Sequence, residues 1–116
     1  MTKITVQAGP DGRILGFVAR GHAGGNRDTE YDMICSAVSA LTQTAVNALE
    51  AVAEILPEVE VSDGYLSCFL PDHLGKEKEK TAETIMRTIL VGLTNIEESY
   101  PKHIRIEIRN GGKANA

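Results

Sequence analysis

Apolar residues recur along the chain with two distinct periods. Ile4-Thr5-Val6-Gln7-Ala8 alternates as a half-buried strand does, Gly9-Pro10-Asp11-Gly12 supplies a turn, and Arg13 to Arg20 reads as the returning strand. Gly16 marks a bulge or a point of close approach within that strand. Between Gly21 and Asp32 the pattern stops, and Gly21, Gly24 and Gly25 stand among Asn26, Arg27, Asp28 and Glu30, the composition of a solvated loop. Ile34, Val38, Leu41, Ala45, Leu49, Val52 and Leu56 then step by three or four, which predicts an amphipathic helix starting near Met33 and stopped by Pro57.

The second half repeats this alternation of periods. Val59 to Val61 and Tyr65 to Leu70 flank Ser62-Asp63-Gly64, and an Asp-Gly pair between two apolar runs predicts a hairpin. Lys76-Glu77-Lys78-Glu79-Lys80 leads into Ala82, Ile85, Met86, Ile89, Leu90, Leu93 and Ile96, so the charges form the solvated first turns of a second helix. His103 to Arg109 alternates strictly and places three isoleucines on one face of a last strand. The order β-β-α-β-β-α-β predicts an α+β fold, a mostly antiparallel sheet with two helices packed on one face. With no internal repeat or linker, residues 1–116 are expected to form one domain.

Composition narrows the function classes. The chain is 42% hydrophobic and has no Trp, so Ile, Leu, Val and Ala must fill the core. The net charge of −4 comes without a run of Lys and Arg, and direct nucleic-acid binding is not expected. Neither a signal-peptide pattern nor a membrane-length apolar stretch occurs, which predicts a cytoplasmic protein. Cys35 and Cys68 are then expected to be free thiols.

Cys35 carries the candidate chemistry. With Asp32 as N-cap it is the third residue of the first helix, where the positive end of the helix dipole favours a thiolate. His22 stands where the second strand gives out, and a loop folding back across the sheet edge would bring its imidazole to the thiol as a nucleophile-base pair. Ser39 and Thr42 extend the Cys35 stripe by four and seven residues. The loop from Gly24 through Gly25 to Tyr31 has the glycines and charges of a segment that orders over bound substrate.

Plainer readings stand beside each of these. Cys35 also suits a small apolar helix position, His22 a structural strand end, Asp32 a simple cap, and Thr42 a hydroxyl bonded to the preceding turn. Cys68 alternates with Leu66 and Leu70 as a core residue does, and neither His73 nor His103 has a local partner that suggests chemistry. The close paired spacings of structural zinc sites are missing, as are the phosphate-binding glycine motifs, so neither metal nor cofactor is expected.

Gly21-His22-Ala23-Gly24, followed by Tyr31-Asp32-Met33-Ile34-Cys35-Ser36-Ala37-Val38-Ser39, resembles the bacterial ribosomal-processing cysteine protease family, Prp. The likeness continues through Asp63-Gly64-Tyr65-Leu66 and Leu90-Val91-Gly92-Leu93 to Tyr100-Pro101. It implies a homodimeric cysteine protease that removes the N-terminal extension of ribosomal large-subunit protein twenty-seven. The family's catalytic Cys falls on Cys35, its catalytic His on His22, and its recurrent Asp and Ser on Asp32 and Ser39. Tyr31 departs from the Gly that members often carry at that place. The alternative function is a non-enzymatic, ribosome-associated or peptide-binding module in which the groove beside Cys35 only holds a peptide.

Overall fold

The computed structural model describes residues 1–21 and 29–111. Its elements follow the predicted order: β1 (Thr2–Ala8), β2 (Ile14–Arg20), α1 (Thr29–Ala51), β3 (Glu58–Ser62), β4 (Tyr65–Phe69), α2 (Lys76–Ser99) and β5 (Ile104–Arg109). The five strands form one sheet in the order β3-β4-β2-β1-β5. β1 pairs parallel with β5, and the other described pairs are antiparallel. The mostly antiparallel α+β arrangement is thus borne out, with one parallel pair created by the passage of α2 over the sheet.

Turn chemistry places the hairpins where the sequence put them. Gly12 takes a φ of 86° and its N–H donates to the Gly9 carbonyl at 2.9 Å, closing the β1–β2 turn. Gly64, at a φ of 70°, closes the β3–β4 hairpin so that Ser62 faces Tyr65. Gly16 is the point of close approach, since a Cβ there would collide with the Phe69 ring and lie 2.5 Å from the Cys68 carbonyl oxygen.

Alternation along β1 sends Thr2, Ile4, Val6 and Ala8 to one face, where they are buried. Ile34, Val38, Ala45 and Leu49 of α1 and Ala82, Met86 and Leu93 of α2 complete the same core. The two helices approach closely where Gly92 faces Leu41, whose side chain would be 3.1 Å from a Cβ at that glycine. Charge pins α2 to the sheet. Arg13 bonds Glu79 at 3.0 Å, and the Glu83 carboxylate accepts from the Ile14 N–H at 2.9 Å.

The helix boundaries differ from expectation at both ends of α1. It begins at Thr29, so Asp32 is a residue of the first turn and not the N-cap, and Tyr31 belongs to the helix and not to the preceding loop. It ends at Ala51 and not at Pro57. Glu54, at a φ of 57°, turns the chain in the left-handed region, which buries Ile55 and leaves Val52 and Leu56 exposed. The apolar stripe therefore loses its phase before Pro57 is reached.

Replacing Gly16 with alanine forces backbone and Phe69 apart and is expected to cost about 1–3 kcal/mol. Urea unfolding checks this as a lowered midpoint with an unchanged slope.

Candidate active site

A cleft of about 370 Å³ opens where the starts of β1 and α1 meet the end of β2 and the β3–β4 hairpin. Cys35 is on its wall, together with Asp32 and Ser39, the residues three before and four after it on the same side of the helix. The rotation of α1 is set by Ile34 and Val38, which are 2% and 4% exposed in the core. Cys35, next to Ile34, is thereby held half-buried at the boundary between core and cleft.

The sulfur has a polar neighbour that the sequence did not announce. Thr2 Oγ1 lies 3.7 Å from Cys35 Sγ, within hydrogen-bonding reach for sulfur. The backbone N–H of Thr2 donates to the His103 carbonyl oxygen at 2.8 Å. The His103 ring in turn packs against Tyr31, with centroids 5.6 Å apart, and its Nε2 lies 3.0 Å from Glu30 Oε2. Two strands and the helix bearing the thiol are thus joined around one corner of the cleft. His103 lacked a local partner because the partners of its ring, Glu30 and Tyr31, are about seventy residues earlier in the chain.

The β2 end and the hairpin also line the cleft: the Arg20 guanidinium lies 5.0 Å from the centre of the Tyr65 ring, and Val61, Ser62 and Gly64 stand beside them in the lining. The Gly21 N–H donates to the Gly64 carbonyl oxygen at 3.0 Å, tying the end of β2 to the hairpin turn. Gly21 has a φ of 152°, and a Cβ there would lie 2.7 Å from Thr2 Cα and 2.8 Å from the Met1 carbonyl oxygen. Only glycine fits without displacing the start of β1.

Of the remaining site residues foreseen in the sequence, His22, Gly24 and Gly25 lie outside the described residues. Tyr31 lines the cleft, but as a buried helical residue packed on His103. Thr42 takes the plainer role, its hydroxyl donating to the Val38 carbonyl oxygen at 3.0 Å. The dipole argument for Cys35 weakens, because the thiol belongs to the second turn of a helix starting at Thr29 and the field of a helix end is felt mainly in the first turn. The helix N–H groups without an intrahelical acceptor likewise belong to that first turn, ahead of Cys35.

Cys68 is wholly buried, as its strand position suggested, and burial pushes its thiol up from 9.0 to about 11. Both cysteines are free thiols. Among the described residues no group of three or more His, Cys, Asp or Glu side chains is placed to hold a metal ion, and no helix is long and apolar enough to cross a membrane.

These features define the chain as an α+β domain with a helix-borne cysteine at a cleft between sheet and helix. The model of the family described as cysteine protease Prp matches residues 1–105, and the chain belongs to that family. The ribosomal processing cysteine protease Prp of Bacillus subtilis is 29% identical over 108 residues, covering 91% of this chain and 96% of the relative. Among solved structures, SMU.848 from Streptococcus mutans superposes with a TM-score of 0.82 at 25% identity, covering 95% of each chain. The essential ribosomal processing protease Prp from Staphylococcus aureus, in complex with a covalently linked product peptide, superposes with a TM-score of 0.80 at 25% identity, covering 94% of this chain and all of that one.

The different settings of the two thiols lead to a kinetic contrast. Iodoacetamide is expected to modify Cys35 in the folded protein and Cys68 only after unfolding, as read by peptide mapping. Cys68 also links stability to pH. Its thiol stays protonated in the folded state while the unfolded chain ionises, so stability present below pH 9 is lost as pH rises towards 11. A Cys68→Ala variant should show a shallower fall over that interval in denaturant titrations.

Proposed function

We propose that this chain is a cytoplasmic cysteine endopeptidase, one domain spanning residues 1–116, that removes the N-terminal extension of ribosomal large-subunit protein twenty-seven. Cys35 is the nucleophile and His22 the base. The observation that carries the reading is the half-buried Cys35 thiol on the wall of the cleft, in a chain of a cysteine protease family. The covalently linked product peptide of the Staphylococcus aureus relative agrees with nucleophilic catalysis.

In this mechanism the Cys35 sulfur attacks the scissile carbonyl carbon. Collapse of the tetrahedral intermediate breaks the carbon–nitrogen bond, and His22, protonated by the thiol, gives its proton to the leaving amine. Water, deprotonated by His22, then attacks the thioester and releases the acid and the thiol. Asp32 and Ser39 support the site from the helix face they share with Cys35, and Gly24, Gly25 and Tyr31 are proposed to adjoin the bound peptide. A homodimer is the expected assembly, and the exposed Val52, Leu56, Val59 and Val61 offer apolar surface for it.

Mass spectrometry of a precursor peptide spanning the extension junction tests the reading. Cys35→Ala is expected to abolish cleavage, and His22→Ala to slow it on the order of 10²–10⁴-fold. Unchanged cleavage by Cys35→Ala overturns the assignment. Binding of the peptide without cleavage by the unmutated protein would favour the peptide-binding module.

A further inference from the structure

Thr2 breaks the pattern of the strand it begins. The other inward positions of β1 are the apolar Ile4, Val6 and Ala8, whereas Thr2 places a hydroxyl among them at 6% exposure. Valine has the same branched shape and would suit the strand equally well. What threonine adds is a hydroxyl 3.7 Å from Cys35 Sγ.

The surroundings give that hydroxyl little freedom to leave. The Thr2 N–H is bonded to the His103 carbonyl oxygen at 2.8 Å, and β1 is flanked by β2 on one edge and β5 on the other. Gly21 abuts it so closely that a Cβ there would be 3.2 Å from Thr2 Oγ1. χ1 of a β-branched residue is stiff as well. Thr2 is therefore a fixed post between the end of β2 and the thiol on α1.

We infer that Thr2 is a positioning residue for the nucleophile: its hydroxyl accepts from the Cys35 S–H and, once the proton has left, donates to the thiolate, holding the sulfur at the cleft. The inference rests on the reading of Cys35 as nucleophile given above. A hydrogen bond donated to the charged form favours that form, and one to a charged group is worth roughly tenfold or more in equilibrium. Loss of the hydroxyl should thus move thiolate formation to higher pH.

The test is the pH dependence of Cys35 alkylation by iodoacetamide in the full chain, for the unmutated protein, Thr2→Val and Thr2→Ser, alongside precursor-peptide cleavage. Thr2→Val is expected to raise the pH of half-maximal alkylation by about one unit and to lower kcat at neutral pH about tenfold, with KM little changed. Thr2→Ser should restore both. A Thr2→Val profile that overlays the unmutated one overturns the inference, and so does a uniform slowing at every pH that serine does not rescue. Alkylation needs no substrate, so it reports on Thr2 even where cleavage is absent. Cleavage that survives Cys35→Ala overturns the nucleophile assignment separately.

Discussion

The parallel pairing of β1 with β5 joins residues about a hundred positions apart, Thr2 facing Ile104 and Gln7 facing Arg109. Closing so long a loop costs conformational entropy that no local contact returns, so it forms only with the burial of Ile4, Val6 and Ile104 beneath the helices. Once formed, it makes β1 an interior strand with a neighbour on each edge. The His103 carbonyl then meets the Thr2 N–H, and the His103 ring reaches Tyr31 and Glu30 at the start of α1. The corner of the cleft that contains the thiol follows from that single register.

Packing on α1 adds the rotational setting. Ile34 and Val38 enter the core one helical turn apart, and the helix period then leaves Cys35 neither sealed inside nor freely exposed. Full burial leaves a thiol protonated and inert, which is the condition of Cys68. The two cysteines of the chain thus occupy opposite settings in the same core: one on a strand beneath the helices, the other where the helix layer ends. Of the two sulfurs, only that of Cys35 is reachable from solvent while its helix is held by the core.

Much of this was legible in the pattern of residues. The Asp63-Gly64 hairpin, the close approach at Gly16 and the core stripe of α2 appear where periodicity and glycine placed them, because each depends on near neighbours or on a face that must be buried. The two ends of α1 were misplaced for different reasons, a distant contact at the first and a local turn at the second. The polar residues before Met33 do not announce a helix, yet Tyr31 finds burial against His103, and a left-handed turn at Glu54 ends the stripe early. Cys35 was singled out through its helix position and through family likeness, and the structure sets it on the cleft wall, though a turn further into the helix than expected. Thr2 was not, since a threonine opening a strand has no unusual local feature and its significance comes from contacts with Cys35 and Gly21 elsewhere in the chain.

The two borders of the sheet are finished differently. On β5 the Glu97 carboxylate accepts from the Ile106 N–H at 2.7 Å, so one rung of that border is already taken by a side chain of the helix above it. All five residues of β3 are exposed at the other border, where Val61 and Ser62 also reach the cleft wall. An unpaired strand border is a template for another extended chain. Among the described residues no strand pairs with the outer edge of β3, so the border left open is the one that adjoins the cleft, and the border at β5 is the one a helix carboxylate partly closes.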